Sequence, residues 1–531
     1  MSNKSTPSTT PQHTIGPIVL VHLPNCAVYA PILFGLFAAR HAVTLAGSSL
    51  TAAELATVVS AAKPQLIISH TRGQQKLAEA LKMQPDDGYK CLQENIFFVD
   101  DSKDYSSAFV RPLQPQTHAA QEWTALMAEK PMDAGPAPTP QEAARCAVIL
   151  WSSGTSGKPK GVVLSHHALI MSLISLWHAN TSFNHDERWL GFVPFNHVFG
   201  LSNVLLAAPC VGATLHVMAK FDATKFLSHI PTYKITCLHM APPIALLLSK
   251  VEPSRRKDFQ SVRNTTCGGA PAAWETILSV YERLGVGIRL GYGLSEMGGG
   301  VCNQPDSLNR EAFDRNQGNT GESLYGVQLK ITDINNKHTV LTRGKEGRIL
   351  IRSEARMSSY FNNEEATREA FDSDGWFDSG DLGKLDANGL LSITGRLKEM
   401  IKVQGFQVSP VELEEAILGV PGVGDAAVVG ILDNQRQTEV PRAYVVPKDP
   451  SAGEQIGRGV LTPQMRSLAT DVKQWIEDRS AHYKWLKGGI LFVQGIPKSS
   501  AGKIQRRELL GARGVPIDLY PPFAKDVQPK L

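Results

Sequence analysis

The chain reads as an α/β protein: a large N-terminal domain of α/β subdomains with a β-rich subdomain, then a small α+β C-terminal domain. Three observations carry this reading. Short apolar runs at 18–22, 66–69, 96–99, 147–151, 188–193, 214–217 and 288–290 have the length of buried strands. Most are followed by helix-compatible segments such as 51–62 and 272–284, the order that produces parallel sheets flanked by helices. From 321 to 393 the pattern changes to short strands separated by Gly, Asn and Asp turns. After Gly395 a charged segment, 396–402, opens a smaller αβ region that ends in a basic helix.

At 531 residues the chain exceeds what one hydrophobic core supports, so more than one domain is expected. The boundaries fall at 1–395 for the large domain, 396–398 for a hinge and 399–531 for the small domain. Residues 1–12 are polar and rich in Ser and Thr, with no apolar core, which argues against a secretory signal. The most hydrophobic stretch, 28–39, is interrupted by Arg40 and His41 well short of the roughly twenty residues that span a bilayer; a buried helix is expected there. Between 114 and 144 the composition turns to Pro, Ala, Gln and Thr, as in a surface connection.

Charged residues at 20% beside 42% apolar ones are those of a globular protein rather than a disordered one. Fifty-four basic against fifty acidic residues give a net charge of +4, too small and dispersed for a nucleic-acid binder. The seven cysteines, at 26, 91, 146, 210, 237, 267 and 302, are odd in number and widely spaced, as expected for reduced, mostly buried thiols in an intracellular protein. The final Pro529-Lys530-Leu531 is similar to the Ser-Lys-Leu peroxisomal address, with proline for serine, and suggests an import receptor as partner; the alternative location is the cytoplasm.

The segment from Ser152 through Ser153, Gly154, Thr155, Ser156, Gly157, Lys158, Pro159 and Lys160 to Gly161 packs four hydroxyls, three glycines and two lysines behind an apolar strand. Glycines let backbone N–H groups turn into a concave nest, hydroxyls add donors, and lysines offset the charge of a polyphosphate. It is not a Walker loop: only Thr155 and Ser156 separate Gly154 from Gly157, and Pro159 follows Lys158 where a hydroxyl would be required. The competing reading is an ordinary turn between the strand and the segment opening at Ser165.

Four further segments carry chemistry. In Leu290-Gly291-Tyr292-Gly293-Leu294-Ser295-Glu296 a strand end bears an aromatic face between glycines, then a hydroxyl and a carboxylate suited to a purine, a phosphate and a hard cation. Asp381, closing the turn that begins at Gly375, is a carboxylate able to accept from vicinal ribose hydroxyls. The segment 395–406 mixes charges with a Gly405-Phe406 turn, and 496–504 is a loop bearing Lys498 and Lys503 at the entry to the last helix. Each alone also fits a turn or a solvated face.

In this order the five segments resemble the adenylate-forming, AMP-binding superfamily, and within it the acyl-CoA synthetases of the 4-coumarate:CoA ligase-like branch. The resemblance runs from about 19 to 509. It implies ATP, Mg²⁺ and coenzyme A, with the loop from Ser152 to Gly157 and Lys160 over the β- and γ-phosphates. Gly268, Gly269, Ala270, Pro271 and Tyr292, flanked by Gly293, would bracket adenine, and Ser295 would contact phosphate. Glu296 would lie at the metal, Asp381 and Arg396 at the ribose, and Lys503 at the carboxylate and α-phosphate. Lys402, Gly405, Phe406 and Gln407 would line the CoA tunnel. Lys398 would be the hinge of a mobile small domain, and His197, in 193–200, the gate to an acyl pocket.

The expected reaction is activation of an aryl or medium-chain carboxylic acid as an acyl-adenylate, followed by transfer to CoA. A stand-alone adenylation enzyme loading a carrier protein and a non-catalytic member of the fold are the alternatives; retention of Lys503, Glu296 and Asp381 argues against the latter. The family pattern has a helix and strand ahead of 18, so the first subdomain is expected to be short. The run Gly298-Gly299-Gly300 is expected to widen one wall of the acyl pocket. His166 and His167 are adjacent, so they point apart on a helix capped by Ser165, and Cys267, with no His or Asp motif around it, reads as a small core residue.

Overall fold

A computed structural model describes residues 15–84, 95–100, 121–126, 138–152, 159–180, 183–305, 314–404, 406–433, 438–499 and 502–520. Residues 1–12, Cys91, Ser153, Gly154, Thr155, Ser156, Gly157, Gly405 and the tail Pro529-Lys530-Leu531 lie outside them.

The first sheet is built from β1 (Ile18–His22), β2 (Ala42–Leu45), β3 (Leu66–His70), β4 (Ile96–Val99), β5 (Gln121–Glu122), β6 (Cys146–Ser152) and β7 (Lys160–Ser165), joined at its β7 edge by Ser359–Tyr360. Its centre is parallel, with β1 between β2 and β3; β6 and β7 are antiparallel. Because side chains alternate across a strand, β1 feeds two cores: Val19 and Val21 enter the main core, while Leu20 packs with Leu55, Val58 and Leu77 on the other face. The 28–39 run forms the helix α1 (Tyr29–Ala38), and α2 (Ala52–Ala62) starts from a Thr51–Glu54 capping box.

The second sheet holds β8 (Arg188–Gly191), β9 (Thr214–Val217), β10 (Cys237–Met240), β11 (Asn264–Cys267) and β12 (Arg289–Leu294) in parallel, then β13 (Gly299–Asn303) and β14 (Glu322–Ser323) antiparallel. An antiparallel sheet follows, of β15 (Val327–Thr332), β16 (Gly347–Ser353), β18 (Phe377–Leu385) and β19 (Leu391–Arg396); Ser359–Tyr360 is β17. Beyond it come the hairpin β20 (Ile401–Val403) and β21 (Phe406–Val408) and a mixed sheet of β22 (Val423–Asp433), β23 (Thr438–Pro447), β24 (Ile490–Phe492) and β25 (Val515–Ile517). The main hydrophobic core runs from Val19 to Leu391, and a separate one runs from Ile401 to Val515. In the second, Glu414 is buried and accepts from Arg506, which also binds Glu399 at 2.9 Å.

The structure departs from the sequence-based expectation in the strands. β2, β5, β7, β10, β11 and β13 are additional, and β5 falls inside the 114–144 stretch expected to be a surface connection. β10 and β11 (Cys-Leu-His-Met and Asn-Thr-Thr-Cys) are buried along their whole length despite their polar residues, which leaves no apolar alternation to read. Because β7 follows it, the phosphate segment connects two antiparallel strands rather than a strand and a helix. β12 also runs on through Tyr292 to Leu294 instead of ending before it. Its close antiparallel partner requires glycine, since a Cβ on Gly293 would lie 2.2 Å from the Gly299 carbonyl oxygen.

Other expectations hold. The helix His166–Ala179 is capped by Ser165, whose Oγ accepts from the Ala168 N–H at 3.1 Å. His166 meets the Phe37 ring while His167 reaches Glu354, so the two diverge. Cys267 is buried, which pushes its thiol up to about 12 and removes it as a nucleophile at neutral pH. Among the described residues no helix is long and apolar enough to cross a membrane.

Burial lowers the imidazoles of His22 and His197 to about 4 and that of His239 to about 3; nearby cations (Lys76 for His22, Lys503 for His197, Arg289 for His239) act in the same direction. Below the ordinary histidine value near 6.5 the unfolded chain binds protons that the folded chain refuses. Each ring therefore subtracts stability as pH falls from about 6.5 toward its folded value, by up to about 3 kcal/mol for His22 and His197 and about 5 kcal/mol for His239. His239→Phe keeps a ring against Trp189 and Phe199 and should flatten the loss of melting temperature between pH 7.5 and pH 5 relative to the parent. Parallel pH profiles for the two proteins would remove His239 from this effect.

Candidate active site

A cavity of about 750 Å³ lies beyond the carboxyl ends of β11 and β12, where open α/β sheets offer backbone and loop groups to ligands. The antiparallel sheet walls it on one side, and Lys498, Ser499, Lys503 and Gln505 close it from the small domain.

One wall is a buried polar triangle. Asp381 on β18 lies directly across from Arg396 on β19, and this register brings Arg396 Nε to 2.9 Å from Asp381 Oδ1. The hydroxyl of Tyr292, from the second sheet, donates to Asp381 Oδ2 at 2.6 Å. Burial pushes the Asp381 carboxyl upward, against the pull of Arg396, Tyr292 and Lys503. The Asp381 charge in turn holds Arg396 above its ordinary value. Gly269, with φ +87°, and Gly268 also line the cavity. A Cβ on Gly268 would come within 3.1 Å of the Gly291 carbonyl oxygen, so this wall is backbone facing backbone.

Lys503 enters from a tight loop in which the Ser499 N–H donates to the Lys503 carbonyl and Gly502 adopts φ +81°. Gly502 rests against Pro243, where a Cβ would meet Pro243 Cδ at 3.1 Å, so the loop sits directly on the large domain. Burial depresses the Lys503 ammonium first and Arg396 adds to that; Asp381, Glu296 and Glu399 favour the charged form. His197 caps a short helical turn, its Nδ1 accepting from the Phe199 N–H at 3.3 Å. A neutral ring with Nδ1 as acceptor carries its proton on Nε2, a donor beside Lys503.

The remaining wall gathers Ser295, Glu296, Lys160 and Tyr360. The Tyr360 hydroxyl donates to Glu296 Oε1 at 3.0 Å, and Lys160 Nζ lies 4.7 Å from the centre of its ring. The pocket continues past Val198, Phe199, Asn203, Gly299, Gly300 and Leu324. Gly300 lacks the Cβ that would come within 2.8 Å of Leu324 Cδ1, so Leu324 keeps its place at this end without having to move aside.

Of the residues expected from sequence, the cavity brings together Lys160, His197, Gly269, Tyr292, Gly293, Ser295, Glu296, Asp381, Arg396, Lys398 and Lys503. Ala270 is half-buried beside it, outside its lining. Lys402, Phe406 and Gln407 are exposed on the β20–β21 hairpin and do not line it; Phe406 stacks on Tyr483 with ring centres 4.3 Å apart. The small domain thus turns its lysine loop to the cavity and its β20–β21 hairpin to solvent. Tyr360, Asn203 and Thr266 line the cavity and were missed: no motif marks them, and their sequence neighbours read as plain strand or loop.

Residues 12–361 match the family model of the AMP-binding enzymes, and 412–503 match that of the AMP-binding enzyme C-terminal domain. The chain is 31% identical to 4-coumarate--CoA ligase 1 of Arabidopsis thaliana, an alignment covering 93% of this chain and 82% of the relative. It is 36% identical to 4-coumarate--CoA ligase 2 of Solanum tuberosum over 68% of this chain and 63% of the relative. The fold is shared with the ATP-bound MatB of Rhodopseudomonas palustris at a TM-score of 0.77 and 23% identity, covering 93% of this chain and 88% of that one. Both family matches and the kinship over 93% of this chain agree that it belongs to the AMP-binding enzymes, as an adenylate-forming acyl-CoA synthetase of the 4-coumarate:CoA ligase-like branch.

Proposed function

We propose that this cleft joins an aryl carboxylic acid to CoA through an acyl-adenylate, with the labour divided between two faces of the small domain. The observation that carries the reading is that Lys503 shares the cavity with Tyr292, Asp381 and Arg396 while Lys402 and Phe406 lie outside it. The aryl preference rests on the 4-coumarate relatives and on the open end at Gly299 and Gly300.

In the first step a carboxylate oxygen attacks the α-phosphorus of ATP, the bond to the β-phosphate oxygen breaks, and pyrophosphate leaves. Both reactants are anions, so the barrier is dominated by repulsion and by charge growing on the α-phosphate. Lys503, preorganised in a water-poor cleft, offsets that charge; His197 offers its Nε2–H to the acid at the gate. Asp381 and Arg396 hold the ribose, and Gly269, Ala270 and Tyr292 the adenine. Ser152 to Gly157 and Lys160 hold the terminal phosphates, with Ser295 nearby. Glu296 suits Mg²⁺: its Oε1 accepts from Tyr360, and its Oε2 has no hydrogen bond among the described residues. Bound with the nucleotide, the metal would supply charge neutralisation.

In the second step the CoA sulfur, as thiolate, attacks the acyl carbon and AMP departs. Lys402, Gly405, Phe406 and Gln407 would line the path of the thiol, which requires the small domain (399–531) to turn about Lys398 away from the large domain (1–395).

Replacing Asp381 should weaken ATP binding. Charge-assisted hydrogen bonds are each worth roughly 1.5–3 kcal/mol, so Asp381→Asn should raise the ATP Kd by about one to two orders of magnitude in a protein that still melts cooperatively. Unchanged ATP affinity would take Asp381 out of the nucleotide site.

The two steps should also separate genetically. Lys503→Ala should slow adenylate formation about a hundredfold or more, leaving thioester formation from presynthesised acyl-adenylate nearly untouched. Lys402→Ala should do the reverse, by roughly tenfold or more if one charge-assisted contact to CoA is lost. Parallel losses in both half-reactions would contradict a division between two domain orientations.

For localisation we propose peroxisomal import through Pro529, Lys530 and Leu531. A fluorescent protein carrying the last twelve residues should become punctate with peroxisomes, and a diffuse signal would reject this.

A further inference from the structure

We propose that Tyr360 is a positioning residue for the adenylation step: it orients Glu296 toward the metal–nucleotide complex and couples that carboxylate to Lys160 at the exit of the phosphate segment. The inference rests on the reading of Glu296 as the metal-side carboxylate.

Tyr360 belongs to the two-residue strand β17, which pairs antiparallel with β7 through Tyr360 opposite Val162 and Ser359 opposite Val163. That register sets the phenol ring beneath Lys160, two residues before Val162, and the Lys160 ammonium lies over the negative face of the ring. The hydroxyl at the far end of the same ring donates to Glu296 Oε1 at 3.0 Å. One side chain therefore touches both charged groups of this wall, the cation by its face and the anion by its edge.

The backbone of the same segment adds a second restraint. The Met357 N–H donates to the Glu296 carbonyl at 2.7 Å, so residues 357–360 fix both the main chain and the carboxylate of Glu296. Tyr360 is itself held: its N–H donates to Thr367 Oγ1 at 2.9 Å, and its side chain is buried. A phenol keeps its proton at neutral pH, so in the contact with Glu296 Oε1 the hydroxyl is the donor. With Oε1 committed to Tyr360, the carboxylate cannot spin freely and Oε2 is presented in one direction. Partners of this kind, which touch a metal-binding carboxylate rather than the metal, typically change metal affinity by 10–100-fold when removed.

The test is Tyr360→Phe, which deletes one oxygen and keeps the ring under Lys160. ATP binding is measured by calorimetry without any carboxylic acid, once in EDTA and once across a Mg²⁺ titration, and Mn²⁺ binding in the presence of ATP is followed by electron paramagnetic resonance. The inference expects the Mg²⁺ and Mn²⁺ concentrations for half-maximal binding to rise by about tenfold while metal-free ATP affinity stays level. Tyr360→Leu should in addition weaken metal-free ATP binding, because Lys160 loses its platform. Since each metal titration compares one protein with itself, a smaller folded fraction does not imitate the shift. Glu296→Gln separates the two levels of the argument. If it moves the metal dependence and Tyr360→Phe does not, the positioning role is overturned. If Glu296→Gln leaves the metal dependence unchanged, the assignment of Glu296 is wrong and the inference falls with it. An equal loss of ATP affinity with and without metal in Tyr360→Phe would show a packing role and overturn the proposal.

Discussion

The buried contact of Asp381 with Arg396 and Tyr292 is the constraint around which the cleft is organised. A carboxylate this far from water persists only if both oxygens are satisfied, and here the partners come from different sheets: Arg396 from the neighbouring strand, Tyr292 from the parallel sheet. Arg396 stays with Asp381 wherever the antiparallel sheet docks, but any other docking would take the Tyr292 hydroxyl away from Asp381 Oδ2. The same contact lies immediately before the change of core, since the main hydrophobic cluster ends at Leu391 and the next begins at Ile401. The residues between the two cores, 397–400, are half-buried or exposed, with the charged pair on one side and the buried Ile401 on the other.

Glycine determines how closely these walls approach. Gly293 against Gly299 is a backbone-to-backbone contact where any side chain would collide, and Gly268 against Gly291 is one where a Cβ would be tight. They allow the Tyr292 ring to stand at the cavity rim while the β12–β13 pair closes behind it. Gly300 does the opposite service, keeping clear of Leu324 and leaving the pocket long. Close packing at one end and open space at the other thus come from the same residue type, used where the partner is backbone in one case and a side chain in the other.

The small domain contributes a lysine loop on one side and an exposed hairpin on the other. Lys503 is held through its carbonyl by the Ser499 N–H and by Gly502 against Pro243, whereas Phe406 stacks on Tyr483 and stays half in water. A rigid body of this shape cannot offer both faces to one cleft at once.

Much of this was legible in the sequence. The alternation of strand and helix, the β-rich stretch, the composition of the phosphate segment and the order of five motifs follow from local residue chemistry, and local chemistry survives translation into one dimension. What the tertiary structure decided is pairing. That Asp381 faces Arg396 depends on the β18–β19 register; that Tyr292 reaches Asp381 spans 89 residues, and that Tyr360 reaches Glu296 spans 64. β10 and β11 were invisible because their burial comes from neighbours on both faces rather than from their own apolar pattern. Tyr360 was invisible because a two-residue edge strand has no periodicity to detect. Residue types announce what chemistry is available; only strand register and sheet docking, which sum many weak long-range contacts, determine which of those groups stand within hydrogen-bonding distance.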